Sequence, residues 1–391
     1  MVLRSVYSRR GFVRALGGSS MLSFAGPLLR PFAAWAAAPS RAVRFAYVAC
    51  DDDSRGAIHV FEVPSRGAWR PVQSVTSRAP SSLAVANDGR TLFVANRVNE
   101  YLNRPAGSVE SYRIDRATGK LQQLSQRSLA LSAVNPEHVA VSPDGRFLVV
   151  CASGGGAYNL LPIHADGSLG EVAILRKETG SSVDAISQSS SRPQQVVFDE
   201  RGRIVASDLG ADRLSVFEIR EDELAVCGRH SARAGCGPSA MQLHRDLSVL
   251  FAAGALDGTV TAHAYDQTRG TFLDRTAVSR AAPLIRGARI STLAIDPSGE
   301  FVAASWSDGA RHGISMLRFD GSAFSFAPAQ VIETTGATAS LQFTNGGGGL
   351  IAANSKNGVV SAFDVDASGQ LQRGADLAHC EGPRAISFTY V

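Results

Sequence analysis

Few side chains in this 391-residue sequence stand at a spacing that dictates chemistry by itself. Of its eight histidines, His138 alone lies at the entrance of an apolar-alternating segment, where an imidazole can act as a base or as a hydrogen-bonded structural group. Asp51-Asp52-Asp53-Ser54-Arg55-Gly56, followed by Glu62, nearly spells a calcium loop. Arg55 stands where an oxygen ligand belongs, however, and the flanks alternate as strands, so a charged hairpin is the better reading and no metal is expected. GxSxG, HExxH, phosphate-loop and dinucleotide-loop patterns are absent, and no cofactor is expected. Five cysteines make an odd set without CxxC spacing. Cys227 and Cys236 flank one connection and could pair in an oxidising compartment; buried thiols are the simpler alternative. No basic run interleaved with aromatics supports nucleic-acid binding.

The elements that would position such residues come from a repeat. Asn135 to Gly170 (NPEHVAVSPDGRFLVVCASGGGAYNLLPIHADGSLG) reads as one unit. Val139 and Val141 alternate as a half-buried strand, Ser142-Pro143-Asp144-Gly145 is a turn, and Phe147 to Cys151 is a strand buried on both faces. A glycine break, a third strand from Ala157 to Ile163, the turn Ala165-Asp166-Gly167 and a fourth strand opening at Leu169 complete it. The pattern recurs seven times, with first strands near Ser81, Glu137, Pro193, Pro238, Ile290, Thr338 and Ala385. Four-stranded repeats without intervening helices predict an all-β, seven-bladed propeller. The chain enters in a second strand, Phe45-Ala46-Tyr47-Val48-Ala49, and leaves on a first strand, Ala385 to Val391. The C-terminal strand is therefore expected to join the N-terminal blade and close the ring. Three long insertions, Asn96–Gly107, Glu178–Arg192 and Ser279–Arg289, fall by topology on one mouth of that ring. A small-molecule ligand, or a protein segment, is expected to bind there.

Residues 1–38 stand apart from the propeller assigned to 39–391. Ser8-Arg9-Arg10-Gly11-Phe12-Val13-Arg14 precedes a moderately apolar run and small-residue cleavage sites around Ala36 to Ala38, the pattern of a twin-arginine export signal. Arg30 and several glycines and serines interrupt the run, so a stable membrane span is not expected. Residues 1–36 hold five arginines and no acids, and their removal turns the formal +4 into about −1. A periplasmic or secreted monomer is the expectation.

Ser142-Pro143-Asp144-Gly145-Arg146-Phe147, Gly154-Gly155-Gly156, Ser207-Asp208-Leu209-Gly210-Ala211-Asp212-Arg213 and Gly237-Pro238 together resemble the seven-bladed lactonase family, which includes 6-phosphogluconolactonase and the carboxy-muconate cyclases. The resemblance implies a carboxylic ester hydrolase site made of a histidine, arginines and a glutamate at the mouth. A base for water and cationic donors for an oxyanion make sense of that set. At the matching positions this sequence reads Gln194 for the histidine, Ser239 for an arginine, Ala255 for the glutamate, and Gly336-Ala337-Thr338 for one Gly-Pro-Arg entrance. Gly382-Pro383-Arg384 keeps the other, and Asp208 and Arg213 are retained. The catalytic candidates are thus His138, Asp208, Arg213 and Arg384, with Asn96, Arg192, Gln194 and Asn354 as ligand contacts. The expected function is hydrolysis of a small, non-phosphorylated lactone or cyclic ester at a largely replaced site. The alternative is a non-catalytic propeller that binds an anionic small ligand or a protein partner.

Overall fold

A computed structural model describes residues 43–51, 56–244, 246–282 and 287–390. The twin-arginine segment and the centre of the Asp51–Gly56 loop lie outside the described residues. What is described forms seven antiparallel sheets of four strands each. Blade 1 takes Pro383–Tyr390 as its inner strand, then Val43–Cys50, Ala57–Glu62 and Arg70–Thr76. Blades 2 to 7 follow in chain order, with inner strands Pro80–Val85, Val134–Val141, Pro193–Phe198, Pro238–His244, Arg289–Ile295 and Thr338–Phe343. The ring closure expected from the repeat is present: Phe45 pairs with Thr389, Tyr47 with Ser387 and Ala49 with Ala385.

Each sheet is covered by a blade on both faces, so the second strands are buried along their length and mostly apolar rather than alternating. Thr91–Asn96, Ile204–Asp208 and Val249–Gly254 are buried at every position. The core is accordingly not one mass: seven clusters fill the gaps between neighbouring blades, and a small eighth gathers Ala282, Ala288 and Trp306. Glutamines stitch the gaps where backbone groups would otherwise lack partners. Gln73 donates to the Leu121 carbonyl at 3.1 Å and accepts from its N–H at 2.7 Å. Gln195 does the same to Met241, and Gln330 to Leu371.

The largest departure from the expected strand boundaries is in blade 3. The fourth strand of blade 3 is Ile174–Lys177, not a strand opening at Leu169, which makes a single isolated bridge to Ile163. Pro162 ends the neighbouring third strand and carries no N–H, so the ladder resumes only where Leu160 meets Ile174.

Closure puts Phe388 and Ala46 in the cluster between blades 7 and 1, with Trp69 edge-on to Phe388 at 5.7 Å. A chain ending at Arg384 loses this strand and bares the edge of Val43–Cys50. We expect its melting temperature to fall by at least about 10 °C, far more than for a frayed tail. Calorimetry on the truncated chain decides it, and an unchanged melt would mean that the ring does not depend on its last strand.

Candidate functional site

The inner strands surround a cavity of about 960 Å³ that runs along the axis of the ring. Its mouth is built by one device repeated in all seven blades. Where each inner strand begins, its pairing with the second strand slips. Pro80 pairs with Asn96 and Ser82 with Ala95, which leaves Ser81 outside the ladder. Glu137, Gln194, Ala339 and Arg384 are passed over in the same way. In blades 5 and 6 the slip spans Ser239-Ala240 and Ser291-Thr292. A bulge re-aims the side chain that it releases, and all of these residues line the cavity.

Most of this ring is small and uncharged, so its chemistry is concentrated in blades 1 to 3. Glu137 accepts a hydrogen bond from Ser153 Oγ at 2.8 Å on Oε1, and Arg97 Nη2 lies 3.5 Å from the same oxygen. Arg384 Nε sits 3.4 Å from Asp51 Oδ2, close enough for charge attraction but without hydrogen-bond geometry. The bulge after Pro136 also brings His138 to the lumen, beside Glu137. Its ring is partly open to the cavity, while its Nδ1 is enclosed and has no partner. Burial pushes the imidazole down to about 4, against the opposing pull of a hydrogen bond to the Val196 backbone. His138 is therefore neutral at physiological pH and better suited to accepting or donating one hydrogen bond than to holding a charge.

Three of the residues expected from sequence, His138, Gln194 and Arg384, meet in this cavity. Gln194 directs its amide toward the Arg192 and Pro193 carbonyls, both at 3.3 Å. Asp208, Arg213 and Arg192 do not line it. Asp208 is buried and accepts from Ser191 Oγ, the Arg192 and Ala211 N–H groups and Arg213 Nη2. Arg213 also donates to the Thr179 carbonyl and pairs with Glu178 at 3.0 Å, where Arg176 and Arg229 converge on the same buried carboxylate. Those groups pin the Glu178–Arg192 connection to blade 4. Both terminal nitrogens of Arg213 are engaged there and its Nε is enclosed, so, unlike the expected ligand-facing arginine, it is not presented to the axial cavity. Asn96 is fully buried against Ser77, Glu110 and Ser108, and Asn354 accepts from the Lys356 and Asn357 N–H groups in a turn. Both asparagines hold local structure.

Sequence reasoning missed Glu137, Arg97, Asp51 and Ser153. A signal for the first was present: the residue after the entrance proline in Pro80-Ser81, Pro136-Glu137, Pro193-Gln194, Pro238-Ser239 and Pro383-Arg384 is the one released to the lumen. Cys227 donates to the Val216 carbonyl and Cys236 approaches Asp212, so these two thiols do not face each other. Among the described residues, no group of three or more histidines, cysteines or carboxylates converges as metal ligands would.

The position of His138 has a consequence for stability. Its folded value, about 4, lies below the ordinary 6.5, so between those limits the unfolded chain binds the extra proton. The stability that a neutral His138 contributes is complete above pH 6.5 and is lost as pH falls through 4. His263, pushed down to about 3 by burial and by the nearby His230, adds to the same slope. Melting temperature should fall as pH is lowered from 7 to 4, and His138→Gln should flatten that fall. An identical pH slope in the variant would remove His138 as its source.

The family described as Lactonase, 7-bladed beta-propeller matches residues 45–388. A 6-phosphogluconolactonase of Pectobacterium carotovorum is 28% identical over 349 residues, covering 87% of this chain and 97% of the relative. A 6-phosphogluconolactonase of Bacillus subtilis is 27% identical over 173 residues, 44% of this chain and 49% of its own length. Among solved structures, the Pseudomonas aeruginosa periplasmic gluconolactonase superposes with a TM-score of 0.77 at 25% identity, covering 90% of this chain and 100% of that one. A match across almost all of the described ring, on a fold of seven four-stranded blades, shows that this chain belongs to the seven-bladed β-propeller lactonase family.

Proposed function

We propose that the protein hydrolyses a small, non-phosphorylated lactone at the mouth of the axial cavity, with the reaction centred on blades 1 to 3 rather than on blade 4. The observation that carries this reading is the bulge ring, which sets Glu137, His138 and Arg384 in one lumen while blade 4 offers Gln194. A glutamine cannot take a proton from water at neutral pH, whereas a carboxylate can. In the proposed reaction Glu137 accepts a proton from water as its oxygen adds to the lactone carbonyl. The Arg384 guanidinium donates to the oxyanion that develops. Collapse breaks the bond to the ring oxygen, which takes the proton back, and the product is the open hydroxy acid. Neutral His138, its Nδ1 enclosed and its ring bonded to the Val196 backbone, stands beside Glu137 in the lumen wall and adds no competing charge. The lumen arginines each lie against a carboxylate, Arg97 by Glu137 and Arg384 by Asp51. That pairing suits a hydroxylated, uncharged ring better than a phosphate dianion, which calls for cations in excess. The relative named a periplasmic gluconolactonase supports the same substrate class.

Turnover of glucono-δ-lactone by the processed protein, followed by pH-stat, is the direct test. The expected outcome is measurable hydrolysis with little activity on the 6-phosphate. Glu137→Gln should lower kcat by about 10²–10³-fold, and Gln194→Ala should change it little. No turnover by the wild type would instead favour the non-catalytic binding reading, to which the replaced positions Gln194, Ser239 and Ala255 also point.

Export is part of the proposal. The Ser8-Arg9-Arg10-Gly11-Phe12 motif suits twin-arginine transport, which carries folded chains, and this ring is complete only when its last strand is in place. Arg9→Lys with Arg10→Lys should leave uncleaved precursor in the cytoplasm by cell fractionation. Normal maturation of that double variant would reject the assignment.

A further inference from the structure

The ring is closed by backbone pairing of Val43–Cys50 with Pro383–Tyr390 and by the packing around it, and two cysteines meet at the Cys50 end of that seam. Cys50 is the last residue of the N-terminal strand and lies opposite Pro383. The next backbone contact, from the Asp51 N–H to the Gly382 carbonyl at 3.0 Å, holds the two connections side by side. Cys380 follows the outer strand of blade 7, Leu371–His379, and is fixed by its own N–H on the Gly358 carbonyl at 2.9 Å. Both thiols belong to the apolar cluster between blades 7 and 1, and they are in hydrogen-bond contact with each other. The remaining cysteines sit elsewhere: Cys151 in the core between blades 3 and 4, Cys227 on the Val216 carbonyl, and Cys236 beside Asp212.

We propose that Cys50 and Cys380 are a disulfide-forming pair that fastens the ring across its closure. The oxidant is a small or protein disulfide of the glutathione or dithiol-oxidoreductase class. Cys380 is the more exposed of the two, at 9% against 2% for Cys50. The Cys50 thiol donates to it and holds its pKa below the ordinary thiol value, which favours its thiolate. The Cys380 thiolate therefore attacks the donor disulfide, forming a mixed disulfide and releasing one donor thiol. The Cys50 thiolate then attacks the Cys380 sulfur, closing the internal bond and releasing the second donor thiol. The two protein thiols lose two electrons and two protons, and the donor disulfide gains them. Because the two positions lie near opposite ends of the ring sequence, the bond restrains nearly the whole unfolded chain, the case in which a cross-link removes the most chain entropy. It also joins the strand ends that carry Asp51 and Arg384, the pair at the cavity mouth.

The test uses the full processed protein in a glutathione redox buffer. Acid-quenched, denatured samples should contain five titratable thiols after reduction and three after oxidation. Tryptic digestion of the oxidised form should give one cross-linked species joining residues 45–55 to 374–384. Oxidation should raise the melting temperature by about 3–6 °C, a gain removed by dithiothreitol and absent from Cys50→Ser and Cys380→Ser. Five thiols after oxidation, a link between Cys227 and Cys236 instead, or the 45–55/374–384 link without any thermal gain would each overturn the proposal. The wild-type thiol count stands whether or not either variant folds.

Discussion

A blade of this ring has no exposed apolar face of its own, because each of its two faces is the wall of a cluster shared with a neighbour. That constraint makes closure the interaction on which everything else depends. Six blades are contiguous in sequence and could stack in order. The seventh gap can be filled only if Pro383–Tyr390 reaches Val43–Cys50 from the other end of the chain. Without it, the faces of blades 7 and 1 would both be open, and the second strand of blade 1, buried from Phe45 to Cys50, would become an edge. Such a strand, apolar on both faces, is the kind of edge that natural proteins avoid leaving bare.

Closure also explains why the lumen has its present shape. Seven twisted sheets converge on an axis, and their inner strands cannot all keep a regular ladder to the second strand up to the entrance. The slip at each entrance relieves that convergence, and prolines occupy the position before it in five of the seven blades. A proline costs little there because its missing N–H falls where the ladder is already interrupted. One structural device therefore does two things: it ends the sheet and turns one or two side chains per blade inward. The identity of those side chains is unconstrained by the fold, which is how serine, glutamate, glutamine, alanine and arginine can occupy equivalent positions.

The fold was legible because it is written in repetition. Turn signals such as Asn87-Asp88-Gly89 and Pro143-Asp144-Gly145, each followed by an apolar strand, recur often enough that an error in one blade is corrected by the others. Gly89 and Gly145 both take positive φ, 68° and 72°, as those turns require. Leu169 was misplaced because a residue alternating correctly with its neighbours says nothing of Pro162 across the gap. The site was legible only in part, for a related reason. His138, Gln194 and Arg384 could be placed at inner-strand entrances by register. Glu137 was passed over because, in a regular strand, two adjacent residues cannot both face the lumen, and only the bulge allows it and His138 to do so. Arg97 reaches Glu137 from the second-strand end of the neighbouring blade, and Asp51 meets Arg384 from the far end of the chain, contacts that no local pattern announces.

Arg213 and Arg384 show why residue type at a mouth is a weak guide to function. Both follow motifs shared with the family resemblance, and both were expected to meet a ligand. Arg213 spends its guanidinium on Asp208, Glu178 and the Thr179 carbonyl, and its side chain is only 16% exposed. Removing a ligand would change nothing in that network, whereas removing Arg213 would leave buried carboxylates short of a counter-charge. Arg384 is 38% exposed, lies in the cavity, and meets Asp51 without hydrogen-bond alignment. The Nε of each arginine is enclosed without a hydrogen-bond partner, so what separates the two is place: Arg384 lines the lumen and Arg213 does not. A polar residue committed to buried carboxylates away from the lumen is architecture, and one exposed along the cavity wall is a candidate site. By that criterion the reactive part of this ring lies with Arg384, Glu137 and His138, around the lumen and next to the seam where the chain closes on itself.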